Sequence, residues 1–258
     1  MPQLRRAARS ERSLLPAPQW LYALNDPILR LLAEARIEIV GRLVDASNAT
    51  FLVELDDSGG RRRAVYKPTR GERPLDDFPS GTLAAREVAA HTLSEAAGFG
   101  VVPPTVLRDG PLGQGMVQAW VDVDPAVDVV RLVVESDPRL RRLALFDAIA
   151  NNADRKAGHL LPLPDGRIWG VDHGICFAAA PKLRTVLWAW RGQPLDEAEL
   201  ALVDAVAAGL DGPLRDRLGE LLSPAEVAAT RRRVAVLRRR AHFPLPDPHR
   251  PALPWPPY

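Results

Sequence analysis

Along the first 120 residues the spacing of apolar positions switches between period two and a helical period, which predicts a small antiparallel sheet carrying one helix. Asn25-Asp26-Pro27 reads as a cap with proline in the first turn, opening a helix through Ile28, Leu31 and Leu32 to about Ala35. Ile37 to Val44 alternates as a strand, Asp45 to Thr50 makes a small-residue turn, and Phe51 to Leu55 returns. Ser58-Gly59-Gly60 turns the chain into a third strand that ends in Ala64-Val65-Tyr66-Lys67. After an aperiodic loop from Pro68 to Ser80, Thr82 is expected to cap a helix from Leu83 to Ala97. Its apolar stripe is Leu83, Val88, Ala89, Leu93 and Ala96, with Gly98 as the stop. Val101 to Leu107 and Gly115 to Val121 then pair about an Asp109-Gly110 turn, completing five strands.

The second half is patterned mainly for helices. A connection from Asp122 to Asp137 contains a short apolar segment, Val129 to Val134. Pro138 opens a helix over about Arg139 to Ala150 that turns Leu143, Leu145, Phe146 and Ile149 inward. A polar loop, Asn151 to His159, follows, and a hairpin about Asp165-Gly166 delivers Asp172-His173-Gly174. Asp196 to Ala208 and Pro213 to Leu222 read as helices, and Ser223-Pro224-Ala225-Glu226 is a capping box for a last helix, Pro224 to Ala241. The fold class expected is therefore α+β and two-lobed, with an antiparallel sheet plus helix first and a mainly helical lobe second. Residues 1–19 read as a mobile basic arm, 20–243 as one domain with lobes at about 20–120 and 121–243, and 244–258 as a proline-rich extended tail.

Composition narrows the setting more than the function. A net charge of +2 on 258 residues does not by itself argue for nucleic acid, and 47% hydrophobic residues suit a globular chain. One cysteine, Cys176, excludes an internal disulfide and fits a reducing compartment. No signal-like or membrane-length apolar run is present, so the expectation is a cytoplasmic protein. The Arg231–Arg240 stretch makes the last helix basic, leaving an anionic membrane surface as a possible partner and nucleic acid as an improbable one. Among the basic residues only Lys67, Lys156 and Lys182 are lysine, which draws attention to each.

Lys67 ends an apolar strand, where a compact ammonium suits a point contact to phosphate oxygens. Glu87 lies one turn into the next helix, where it either complements the helix dipole or pairs with Lys67. Asp154 and Asp172 sit in loops on either side of a short hairpin, as the base and metal-holding carboxylates of a phosphoryl transferase do. The turn at Ser47, Asn48 and Ala49 is either a plain hairpin loop or a phosphate-covering one. Backbone groups at Gln118, Ala119 and Trp120 stand where an adenine edge is read between lobes. Trp188 and Trp190, near Lys182, Arg184 and Arg191, form either a recognition surface for an anionic acceptor or core; Trp188 is assigned to core.

In order, Val65-Tyr66-Lys67-Pro68, Arg86-Glu87-Val88-Ala89, Val102-Pro103-Pro104-Thr105, Asn152-Ala153-Asp154-Arg155 and Val171-Asp172-His173-Gly174 resemble the phosphatidylinositol 3-/4-kinase superfamily. The likeness is to the type II phosphatidylinositol 4-kinases, within an actinobacterial branch, and more distantly to HipA-type serine kinases. It covers roughly residues 35 to 190. The resemblance implies an ATP-dependent kinase acting on a hydroxyl of a lipid, a protein serine or threonine, or a small molecule. By it, Lys67 contacts the α/β-phosphates, Glu87 supports it, Asp154 is catalytic and Asp172 binds the metal. In those families an asparagine five positions after the catalytic aspartate is a second metal ligand; here that position is His159. An imidazole prefers softer ions, which makes the expected metal Mg2+ or Mn2+ at Asp172 and His159, and leaves a nucleotide-binding pseudokinase as the alternative.

Overall fold

The computed structural model describes residues 26–43, 48–57 and 60–257. The basic arm, Asn25 of the first cap and Ser47 of the candidate phosphate loop lie outside the described residues.

Helix α1 (Pro27–Glu34) starts as the sequence predicts, with the Asp26 carboxylate accepting from Ile28 N at 2.8 Å and proline in the first turn. It packs on one face of a five-stranded antiparallel sheet ordered β1-β2-β3-β5-β4, built from β1 (Arg36–Arg42), β2 (Phe51–Asp57), β3 (Gly60–Pro68), β4 (Thr105–Gly110) and β5 (Gly113–Ala119). A bulge at Val40 breaks the β1–β2 register. Along β3 the faces alternate: Ala64 and Tyr66 enter the α1 core with Val53, Leu55 and Val117, while Val65 lies against Met116 and Val88 on the other side. Lys67 follows the Val65 parity.

Helix α2 (Leu83–Ala96) covers that second face. It is buried on two sides, against the sheet through Ala84 and Val88 and against the helical lobe through Ala89, Ala90 and Leu93. Arg86, Glu87, His91 and Ser94 are buried along with the apolar stripe, whereas Ala96 is exposed and Ala97 takes the inward place expected of it. Thr82 does not cap: its hydroxyl donates to Pro79 O, and the Glu72 carboxylate accepts the Ala84 N–H instead, at 2.9 Å. The β4–β5 turn is also two residues later than Asp109-Gly110, which pair within β4. A Cβ at Gly110 would lie 2.8 Å from the Tyr66 ring, so the strand continues through a residue without a side chain.

The second lobe holds α3 (Val129–Val134), α4 (Arg141–Ala150), a two-stranded hairpin of β6 (Leu160–Pro162) and β7 (Ile168–Gly170), α5 (Glu197–Leu210), α6 (Pro213–Leu221) and α7 (Pro224–Arg240). The apolar Val129 to Val134 segment is thus a helix, capped by Asp128. Leu143, Leu145, Phe146 and Ile149 of α4 are all fully buried in the largest core. Trp190 belongs to that core; Trp188, expected there, is half-buried and donates its indole N–H to Ala252 O at 2.8 Å. The Ser223 and Glu226 capping box forms as read. A sheet-plus-helix lobe is thus joined to a helical lobe, a two-lobed α+β fold. No helix among the described residues is long and apolar enough to cross a membrane.

Candidate active site

Lys67 is brought to the lobe boundary by β3, and two carboxylates meet it there. Its Nζ lies 2.6 Å from Glu87 Oε1 on α2 and 2.8 Å from Asp172 Oδ1 after β7. Burial alone would favour a neutral lysine, but the Asp172 and Glu87 carboxylates outweigh it and hold the ammonium above its ordinary pKa. The Lys67 charge, opposed by burial, in turn holds Asp172 well below the usual carboxylate range. Glu87, nearly inaccessible, is raised by burial despite Lys67, and its second oxygen accepts the His173 N–H at 2.8 Å. The Lys67–Glu87 alternative to a simple dipole role is therefore the arrangement present.

Asp172 itself takes a left-handed backbone, φ 61°, an uncommon conformation for a non-glycine residue and one frequent at functional sites. That twist buries the next side chain, His173, against Phe146 with ring centroids 5.6 Å apart. The Asp172 side chain stays 42% exposed, open to the cleft. On its far oxygen, Oδ2, stands His159 Nε2 at 3.4 Å. Burial lowers His159 to about 4, so the ring is neutral; its Nδ1 accepts the Lys156 N–H at 3.4 Å, which places the ring proton on Nε2, toward Asp172.

Asp154 stands in the polar loop after α4, whose last carbonyls are closed by Asn151 in the left-handed conformation, φ 52°. Its backbone N–H is fixed by Asn152 Oδ1 at 3.0 Å. Burial raises the Asp154 carboxyl, and the nearby charge of Asp172 adds to this, while the Lys156 ammonium, 3.1 Å from Oδ2, pulls the other way. A carboxyl with a raised pKa is in general the better proton acceptor, and a strongly ionised carboxylate the better cation ligand.

Beneath these groups runs a buried network that sequence reasoning did not find. The Arg155 guanidinium, fully buried, meets Asp147 of α4 with Nη2 at 2.9 Å and Nε at 3.0 Å, gives Nη1 to Val171 O at 2.8 Å, and lies 2.6 Å from His173 Nε2. It joins the Asp154 loop, α4 and the segment leading to Asp172 in one piece. Gly170 makes room for it: a Cβ there would sit 3.0 Å from Arg155 Nη2 and 2.8 Å from Leu143. His173 is neutral, pushed well below its ordinary value chiefly by burial. Arg155 sits in the polar Asn151 to His159 loop, and its neighbours in sequence gave no sign that it would be buried.

The remaining candidates are bonded within the sheet and its loops. Asn48 accepts Arg73 N–H at 2.8 Å and Ala49 donates to Gly71 O at 3.0 Å, tying that turn to the loop after β3. Gln118 is buried within the sheet and bonded to Thr105. The Ala119 and Trp120 N–H groups donate to Pro104 O and Arg63 O, and the Trp120 ring lies against the Arg63 guanidinium, 5.1 Å away. In the basic helix, Arg231 pairs with Asp211 and Arg238 with Asp204, while Arg233 turns inward.

No family model matches the chain. In fold it is similar to the crystal structure of a proinflammatory kinase, CtkA, from Helicobacter pylori, with a TM-score of 0.47 and 13% identity over 81% of this chain and 97% of that one. Phosphatidylinositol 4-kinase gamma 4 of Oryza sativa subsp. japonica is 27% identical over 208 aligned positions, which span 66% of this chain and 37% of the rice protein. Protein Rv2133c of Mycobacterium tuberculosis (strain ATCC 25618 / H37Rv) is 42% identical over 268 aligned positions, covering 90% of this chain and 96% of its own. With that identity along nearly the full length of both, the chain belongs to the family of protein Rv2133c.

Proposed function

We propose that the chain is an ATP-dependent phosphotransferase of the phosphatidylinositol 3-/4-kinase-like kind, transferring the γ-phosphoryl group to a hydroxyl acceptor. The observation that carries this reading is the Lys67 ammonium held between Glu87 and Asp172 at 2.6 and 2.8 Å. A lysine on the third strand, paired to a helix glutamate and to the aspartate after the hairpin, is positioned to receive phosphate oxygens. Nucleotide phosphates arriving there meet a cation that does not titrate at neutral pH.

The donor set fits a magnesium-like ion. Among the described residues no group of three or more His, Cys, Asp or Glu is placed to hold a metal alone. One or two carboxylates completed by substrate phosphates and water are the usual set for Mg2+, and Asp172 offers an ionised, half-open carboxylate for it. Such an ion, Mg2+ or Mn2+, supplies charge neutralisation on the phosphates. His159 Nε2, 3.4 Å from the second Asp172 oxygen, stands beside that carboxylate as the other candidate ligand. Asp154 orients the acceptor hydroxyl and takes its proton as the new O–P bond forms and the γ-phosphate leaves the β-phosphate oxygen. Burial, which raises its pKa, suits it to this.

ATP consumption by the purified chain with Mg2+ or Mn2+, with and without cell lysate as acceptor source, tests the reading. Loss of turnover in Asp154→Ala and in Asp172→Ala, with melting curves unchanged in shape, is the expected result. Turnover that survives either change removes that residue from its role.

A second reading, a pseudokinase that binds nucleotide without turning it over, is favoured by the Lys156–Asp154 pair and by His159 at the usual asparagine position. It predicts stabilisation by ATP, on the order of 2 to 4 kcal/mol at saturating ligand, with no consumption. The lipid, protein or small-molecule nature of the acceptor is open to the same lysate experiment.

A further inference from the structure

A cleft of about 450 Å3 opens in the helical lobe, and none of Lys67, Glu87, Asp154 or Asp172 lines it. Small-molecule sites commonly run from roughly 300 to 1,000 Å3. Three parts of the chain make its walls: the α4–α7 pair, the segment from Ala179 to Arg184 with Trp188, and the tail from Pro244 to Pro251. Trp188, Val236, Leu237 and Leu245 give it an apolar body.

Its charges are one-sided. Lys182, Arg184, Arg232, Arg233 and Arg250 line the cleft against a single acid, Asp247. Two of these cations are already committed, Lys182 to Asp77 and Arg250 to Asp247 and Pro181 O. Arg232 and Arg184 make no side-chain hydrogen bond or ion pair with a described residue. Arg233 is the telling one. Its five donors reach only neutral acceptors, Ile149 O at 3.0 Å, Ala178 O at 3.2 Å and Thr230 Oγ1 at 2.8 Å. Burial without a paired carboxylate lowers it to about 10. A desolvated guanidinium at the wall of an apolar cleft is costly unless an anion arrives to neutralise it.

We propose that this cleft binds a soluble small molecule with an anionic head on an apolar body, the head meeting Arg232 and Arg233 and the body packing against Trp188, Leu237 and Leu245. The occupied cleft is joined to the active-site loop by short links. Lys182 N–H donates to Asn151 Oδ1 at 2.8 Å and Arg184 N–H to Asn152 O at 2.9 Å, so a ligand there steadies the loop that carries Asp154. The site uses no residue of the Lys67 cleft and stands or falls apart from the phosphotransfer reading.

The test is titration of the full chain with 8-anilinonaphthalene-1-sulfonate, an anionic aromatic dye that brightens in apolar sites, followed by competition. Saturable binding at one site, displaced by octanoate but not by octanol, is expected. Arg232→Glu, at an exposed position of α7, should weaken binding about tenfold or more, the loss of one charge-assisted hydrogen bond. Val236→Trp should block it by filling the cleft, and Arg233→Met should weaken it if that variant keeps its near-ultraviolet circular dichroism. Should Arg233→Met fail to fold, the other two variants decide. Octanol competing as well as octanoate, unchanged binding in both Arg232→Glu and Val236→Trp, or binding only to phosphatidylglycerol vesicles and never to dissolved octanoate, overturns the proposal.

Discussion

Replacing Lys67 by methionine keeps the length of the side chain and removes the one cation between Glu87 and Asp172. Glu87 is then a carboxylate with 2% of its side chain exposed, left with one backbone N–H from His173 and a like charge across the cleft. Removing one partner of a buried pair costs about 3–5 kcal/mol. Because Asp172 is 42% exposed and relaxes into water, a loss of about 3 kcal/mol at neutral pH is the reasonable figure here. The loss depends on pH in a definite direction. Glu87 is already raised by burial, and without Lys67 it rises further above its unfolded value. The folded variant then binds a proton that the unfolded chain has released, so its stability falls as pH rises above the ordinary carboxylate range and recovers as pH falls toward it. Urea unfolding of wild type and Lys67→Met at about pH 5.5 and 8 measures this, with a gap between them that widens at the higher pH. Adding Glu87→Gln to the variant should return much of the loss at pH 8. A gap below about 0.5 kcal/mol, or one that does not change with pH, would mean that Lys67 is a solvated charge and not a clamped one.

Other consequences are nearer to hand. Arg86→Leu removes the cation 2.5 Å from Glu226 and leaves that carboxylate only its Ser223 donors, which should cost about 3 kcal/mol in denaturant unfolding; Arg86→Leu with Glu226→Gln, which keeps a side-chain oxygen for the Ser223 cap, should cost less than Arg86→Leu alone. His159 is neutral, held down to about 4, so wild type and His159→Asn should share one pH profile of ATP turnover between about pH 6 and 8, and a histidine-like break confined to wild type would refute the assignment. Deleting residues 244–258 removes the carbonyls of Ala252 and Pro257 that accept from Thr185 N, Trp188 Nε1 and Ala157 N. At roughly 1 kcal/mol per bond, less the entropy regained by the tail, a loss of about 1–3 kcal/mol is expected, with faster protease cleavage between residues 179 and 185.

What the sequence disclosed was local in origin. The Asp26 and Ser223 caps involve partners two or three residues away, and Lys67, Glu87 and Asp172 occur in an order and spacing that the two-lobed fold reads directly. Where a neighbour in space decided, the reading slipped. Thr82 looked like a cap until Glu72, ten positions earlier, took the Ala84 N–H, and Asp109-Gly110 looked like a turn until Tyr66 required a strand glycine beside its ring. Val129 to Val134 is too short an apolar run for its period to distinguish helix from extended chain. The Asp147, Arg155 and His173 network leaves no mark at any single position, because its members come from a helix, a loop and the far end of a hairpin.

The two most deeply buried arginines explain how so polar a cleft keeps its shape. Arg86 and Arg155 are 1% and 0% exposed, and neither faces the space where nucleotide and acceptor would meet. Arg86 fixes α2, and so Glu87, to the helical lobe by reaching Cys176 O and Glu226; Arg155 fixes the Asp154 loop to α4 and to the strand end before Asp172. Each brings several donors in a rigid fork, which lets one side chain tie three segments at once, something lysine cannot do. Both arginine charges are thus paired away from the cleft. Lys67, Asp154 and Asp172 retain exposed, charged ends because Glu226 and Asp147, deep in the protein, take the arginine charges. On this division a lysine substituted for either arginine should leave the cleft groups chemically intact yet uncouple their positions. Any loss of turnover in Arg155→Lys should then exceed its loss of nucleotide affinity, since Lys67 and Asp172 stay clamped while the Asp154 loop drifts; the opposite ranking would mean that Arg155 serves stability alone.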